Sequence, residues 1–382
     1  MSLCSLIQLL LTLPTVTFAS HFWGASATFS PKGVYSDGSY KVEFRFKQTF
    51  HSCSNHFLWN TCLSGSCGNE ISTEKQTIYN TGSRNGANFN WCQTERVITR
   101  QIPSNNPFSL RESDCCWVTL ANNLNSWRLL IVVDLGERSD TNKPNKSPVM
   151  TSISFVRVPQ NCPRTYKLIT FDPDNDQGRC RYGSDRTTEC EGCQLPTGFA
   201  LSQTRIKEKD FCTLSYTNAS TGVYGLEVVV EDFPQQNITL SYINGSSSVR
   251  SPFSPTATPL SQIPLQFAVK VEPAITSCEE GVYLPKFLAP TPENGEKIQA
   301  VINRELEIIV SATASASSIH GLIISGPLNI TVNNYKGSSE QFVLRWTPRT
   351  EDLGEYFPVC FVAESNQSRC CGWCEDKSSV YN

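Results

Sequence analysis

The sequence predicts an all-β protein: an N-terminal disulfide-rich β domain followed by two immunoglobulin-like or cadherin-like β-sandwich domains. Three observations carry this expectation. Tyr40-Lys-Val-Glu-Phe-Arg-Phe-Lys47 alternates apolar and charged residues, the pattern of a strand with one buried and one solvated face. Leu265-Gln-Phe-Ala-Val-Lys-Val-Glu272 does nearly the same, whereas no long stretch keeps a helical period. Gly and Pro contribute 22 residues each to a chain of 382, which favours many turns over long helices.

The first element is a targeting segment. Leu3 to Leu13 is a short apolar run closed by Pro14, and Thr17 and Ala19 are small residues suited to a cleavage site. A signal peptide over residues 1–19 follows, with a mature start at Ser20-His21-Phe22-Trp23-Gly24. No later stretch approaches 18 apolar residues, Leu129-Leu-Ile-Val-Val133 being the strongest, so no membrane insertion is expected. Localisation is expected to be secreted and extracellular. The cysteines agree: Cys4 leaves with the signal peptide, and the even remainder suits an oxidising compartment. Glycosylation sequons at Asn145, Asn218, Asn237, Asn244, Asn329 and Asn366 point the same way.

The mature chain divides by composition into three blocks and a tail. Residues 20–140 form a Cys-rich β domain containing Cys53, Cys62, Cys67, Cys92, Cys115 and Cys116. The polar segment Gly136 to Pro148 reads as a linker. A sandwich over 148–273 carries Cys162, Cys180, Cys190, Cys193 and Cys212, with strands expected at Ile153–Val158, Tyr224–Val230 and Leu265–Glu272. Its Ser/Thr/Pro-rich stretch Asn244 to Pro264 reads as a long exposed loop. A second sandwich over 278–366 holds Cys278 and Cys360, and the tail 367–382 holds Cys370, Cys371 and Cys374. Five cysteines in the middle block and five in the last block with its tail allow a bridge between them, while neighbours such as Cys115 and Cys116 are not expected to bond each other.

The start Ser20-His-Phe-Trp-Gly24 resembles that of a family of extracellular animal proteins whose mature chains begin Ser-His-Phe-x-Gly. Further matches are Phe171-Asp-Pro-Asp-Asn-Asp176, Arg179-Cys-Arg181, Val230-Glu-Asp-Phe233, Leu260-Ser-Gln-Ile-Pro-Leu-Gln-Phe267, Gly326-Pro-Leu-Asn-Ile330, Trp346-Thr-Pro348 and Val359-Cys-Phe-Val-Ala-Glu364. The resemblance runs through nearly the whole mature chain. It implies multi-domain ectodomains engaged in adhesion, matrix or recognition, without a catalytic role. Members often continue into further modules, and this chain stops at Asn382.

Candidate chemistry is sparse. Asp172, Asp174 and Asp176 alternate within an acidic run and could converge on calcium, a hard ion that takes six to eight oxygens. The EF-hand pattern fails, since Gln177 and Gly183 stand where Gly and Glu belong, and the competing reading is a polar turn built on Pro173 and Asn175. Cys190-Glu-Gly-Cys193 and Cys371-Gly-Trp-Cys374 read as structural disulfides rather than zinc or redox motifs. Phe57, Trp59, Phe89 and Trp91 lie in loop-like, Cys-rich sequence. Trp59 and Trp91 could bind a partner, or all four could fill a small core. No Gly-x-Ser-x-Gly elbow or His-Glu-x-x-His motif occurs, and His21, His51, His56 and His320 read as surface residues.

A net charge of −3 argues against nucleic acid as a partner. The expected function is therefore that of a secreted, non-enzymatic glycoprotein with no cofactor other than calcium, contacting an extracellular protein or itself. The alternatives are a soluble short form of a larger assembling ectodomain and an extracellular hydrolase or inhibitor.

Overall fold

Apolar–polar alternation marks strands such as Tyr40–Phe50 and Ser126–Val133, whereas Gly222–Phe233 and Ser261–Glu272 are buried nearly throughout. The computed structural model describes residues 21–80, 91–150, 155–168, 171–206, 209–293, 296–338 and 340–365. The signal-peptide segment, Phe89, Asn366, Cys370, Cys371, Cys374 and the tail lie outside the described residues. No described helix is long and apolar enough to cross a membrane.

Strands β1 (Phe22–Val34), β2 (Tyr40–Phe50), β3 (Thr61–Ser64) and β4 (Asn69–Asn80) come first. They are followed by β5 (Cys92–Ile102), β6 (Phe108–Cys115), β7 (Ser126–Val133) and β8 (Glu137–Arg138). The middle of the chain gives β9 (Phe155–Pro159), β10 (Arg164–Leu168), β11 (Gln177–Tyr182), β12 (Phe199–Ile206) and β13 (Lys209–Tyr216). It continues with β14 (Gly222–Phe233), β15 (Ile238–Ser241), β16 (Ser247–Arg250) and β17 (Ser261–Glu272). The last third supplies β18 (Lys286–Leu288), β19 (Leu306–Thr313), β20 (Ile319–Ser325), β21 (Thr331–Asn334), β22 (Gln341–Trp346) and β23 (Cys360–Ser365). The fold is all-β; its described helices are two single 3-10 turns.

β17 is the hub. One edge pairs along its whole length with β14. The other edge meets β7 at Gln262, β1 at Leu265 to Phe267, and β9, in parallel, at Ala268 to Glu272. These pairings create an 11-stranded sheet ordered β3-β6-β7-β17-β1-β2-β5-β4, with β14, β11 and β9 attached through β17. Gly24 sits where β1 crosses β17, and a Cβ there would collide with the Gln266 carbonyl. The glycine of the Ser-His-Phe-x-Gly start is thus required by close backbone approach.

This ladder corrects the domain division. Strands of 20–140, expected as a Cys-rich β domain, and of 148–273, expected as a sandwich, share one sheet and one core. The last third is a sandwich: β18-β19-β22-β21 faces β20-β23 across Val310, Leu344, Ile324 and Phe361. Yet β20-β23 is buried on both faces. Ile323, Cys360 and Val362, alternating with that inner set, belong to the main core.

Aromatic residues fill the N-terminal part of that core. Phe22 packs on Trp117 and Trp127 at ring separations of 4.6 and 4.9 Å, and Phe46 stacks on Trp59 at 4.5 Å. Trp59 and Trp91 are 0% and 1% exposed, which corrects their reading as a partner-binding surface. Phe57 is buried as well. Burial of large rings, each offering 150–250 Å², makes core filling the stronger use.

Four other expectations change. Leu260 to Pro264 is buried, Ser247–Arg250 forms β16 paired with β15, and Ser261 opens β17, so 244–264 is no long exposed loop. The presumed linker 136–148 buries Arg138, Asn145 and Ser147. Cys115 bonds Cys116, its sequence neighbour, across a cis peptide. The charged face of β2 is covered by the last third of the chain rather than solvated. Arg45 lies 4.9 Å over the Phe357 ring and 3.8 Å from Asp352, and Lys47 is buried. Opposite charges from the other unit replace the expected water.

The remaining bridges join Cys53 to Cys92, Cys62 to Cys67, Cys180 to Cys212 and Cys190 to Cys193. Cys162 bonds Cys278 and ties the middle of the chain to the last third. Cys360 is disulfide-bonded too.

Candidate functional site

Three turns and two strand ends converge on an acidic cluster. The Asp172-Pro-Asp-Asn-Asp176 segment turns back on itself: the Asn175 N–H donates to the Asp172 carbonyl, and Asn175 takes a left-handed φ of 65°. Asp172 Oδ1 accepts the N–H groups of Asp174 and Asp176 at 2.8 and 3.0 Å. The polar turn is therefore real, and it still gathers the three carboxylates. One oxygen of each lies within 4.8 Å of the others.

Arg138, 1% exposed, enters this cluster from β8. Its guanidinium donates to both oxygens of Asp176, to both oxygens of Asp140 and to Asn145 Oδ1. Asp174 lies 3.8 Å from the same group and accepts the Lys146 N–H at 2.7 Å. Asn145 also donates to Asp232 Oδ2 at 2.8 Å. Asp232 Oδ1 accepts the Ser261 N–H and hydroxyl at 2.7 and 2.5 Å, which pins the start of β17.

The electrostatics are lopsided. Five carboxylates (Asp140, Asp172, Asp174, Asp176 and Asp232) meet one buried guanidinium. Burial, then the charges of Asp232, Asp176 and Asp174, pushes the Asp172 carboxyl well above the usual range. Burial and the Asp176 charge push Asp232 up. Burial also raises Asp176, against the pull of Arg138. The Arg138 hydrogen bonds hold Asp140 down. Neither Asp172 nor Asp232 has an ion-pair partner among the described residues, and Asp172 Oδ2 is buried with no hydrogen-bond partner.

The cluster borders the contact with the last third. The Phe171 ring lies 4.4 Å from that of Tyr356, and Lys146 reaches Glu355 at 3.2 Å.

Asn145, expected as a glycan acceptor, is fully buried and bonded at both ends of its amide. A glycan there is incompatible with this core, which corrects the reading of that sequon. Asn218, Asn237, Asn244 and Asn329 are exposed. Sequence reading missed Arg138, Asp140 and Asp232. The signal available was the charge density of 134–140 and the Glu-Asp pair in Val230–Phe233.

No family model matches the chain. It is 22% identical over 379 residues to integrin beta-like protein C of Dictyostelium discoideum, covering 94% of this chain and 19% of that protein. Integrin beta-like protein B of the same organism is 25% identical over 266 residues, covering 66% and 13%. The chain thus spans less than a fifth of the length of the curated relatives it matches. Both are Dictyostelium proteins, so neither supports the animal origin or the Ser-His-Phe-x-Gly start of the resemblance.

Among solved structures, the sialic-acid-binding region of the Streptococcus sanguinis SK1 adhesin matches at 11% identity and a TM-score of 0.20. It covers 61% of this chain and 77% of that one. A titin tandem of Ig domains matches at 11% identity and a TM-score of 0.19, covering 61% and 96%. Scores this low leave the fold to be read from the strands themselves.

Proposed function

We propose that this chain is a secreted, extracellular, non-enzymatic glycoprotein that works by protein–protein contact in adhesion or recognition. The observation that supports this reading most is the similarity to an integrin beta-like protein along 94% of the chain. The disulfide bridges suit an oxidising compartment and brace the sheets, and four exposed sequon asparagines offer places for glycans on the surface. The partner is another extracellular protein or a second copy of this chain.

The test is an adhesion assay with the purified secreted chain coupled to beads. Clustering of coated beads marks self-contact, and capture by cells but not by each other marks a separate protein partner. Beads that neither cluster nor bind any cell type above an uncoated control would overturn the adhesion reading.

A further inference from the structure

The unpaired charge of the acidic cluster has a chemical answer independent of any adhesive role. Arg138 answers Asp140 and Asp176 through paired hydrogen bonds. Asp172 is left with backbone N–H groups on one oxygen and nothing on the other, although the residue is 8% exposed. Water does not reach Oδ2 to solvate it, and an isolated buried carboxylate is costly unless a cation or a proton meets it. All the candidate donors are oxygens, the set that hard divalent ions prefer over zinc or copper.

We propose that the Asp172–Asp176 turn binds a calcium ion, held by Asp172 Oδ2 with one oxygen each from Asp174 and Asp176. Calcium is chosen over magnesium because it tolerates flexible coordination by carboxylates, whereas magnesium demands a near-ideal octahedron and dehydrates reluctantly. The bound ion would lock the turn that presents Phe171 to Tyr356, so its effect reaches the contact with the last third. The competing arrangement is a proton retained on Asp172, which needs no metal.

The deciding experiment is calorimetric titration of the chelator-treated full chain with calcium chloride at neutral pH, alongside thermal melts in calcium and in chelator. The expected result is one saturable site with a Kd of roughly 0.1–1 mM, the range of extracellular modules, and a higher Tm in calcium than in equal magnesium. Asp172→Asn should abolish the heat of binding. Should that variant fold poorly, Asp174→Asn, at a half-buried position, should weaken calcium by at least about tenfold while leaving the Tm in chelator little changed. No heat and no Tm shift in the unsubstituted chain at about 10 mM calcium, far above that range, would overturn the site in favour of the proton. Calcium binding unchanged in Asp174→Asn would overturn it by placing the ion elsewhere. Neither result depends on whether the beads adhere.

Discussion

Lys47 donates its ammonium to the carbonyl oxygen of Gly326 across 2.9 Å, although the two are 279 residues apart in sequence. The same ammonium reaches Ser325 Oγ at 3.3 Å, and Glu95, buried beside it, draws on Lys47 and Arg45 for its charge balance. The charged side of β2 is thus an internal seam between the main sheet and the last third.

Lys47→Met should loosen that seam. The substitution keeps most of the volume but leaves Glu95, whose Oε2 already lacks a hydrogen-bond partner, without one of its two cations. Breaking a buried pair from one side costs about 3–5 kcal/mol. Chemical denaturation should show that loss, and proteolysis should release the last third first. An unchanged denaturation midpoint would refute the seam.

Glu189 gives the clearest pH signature. Burial would raise its carboxyl, but hydrogen bonds from Arg181 and the backbone N–H of Ser184 outweigh that and hold it at about 2, below its usual 4.5. A depressed carboxylate stabilises the fold fully above about 4.5 and loses that contribution as pH falls towards 2. Glu189→Gln should cost about 2 kcal/mol at pH 7, after allowance for screening, and flatten the acid limb of the stability profile between those values.

Glycopeptide mapping should find sugar on Asn218, Asn237, Asn244 and Asn329 and none on Asn145, which is fully buried. Asn145→Ala should destabilise by about 3 kcal/mol, because it removes hydrogen bonds to both Arg138 and Asp232. A glycan found on Asn145 in folded protein would contradict the packing of 138–147.

Trp59→Ala should cost about 3–5 kcal/mol by emptying a site whose ring stacks on Phe46 and meets Phe57 edge-on. The secreted yield should fall with it. Normal secretion and melting with lost partner binding would return Trp59 to the surface.

Much of the local structure was legible from alternation. Tyr40–Lys47, Tyr224–Val230 and Leu265–Glu272 all lie within observed strands. Long-range pairing was not, because a strand's periodicity says which face is buried and nothing about what lies beside its edge. Leu265–Glu272 reads as the closing strand of one domain, yet it pairs with β1 of the preceding block, and Gln262 of the same strand β17 pairs with β7. The segment 136–148 misleads for a related reason. Polar residues that satisfy one another, as Arg138, Asp140 and Asn145 do, have the same composition as polar residues that face water. At the site, the three alternating aspartates could be read from spacing, but the arginine and Asp232 come from distant segments that only the fold brings in.

The place of β17 also sets a timetable for biosynthesis. β1 and β7 leave the ribosome early, and their ladder partners at Gln262 to Phe267 follow only after most of the chain has been made. At about 5–20 residues per second, the nascent strands wait for roughly ten seconds or more with open edges. Slow maturation, rather than weak final stability, is the vulnerability this topology imposes.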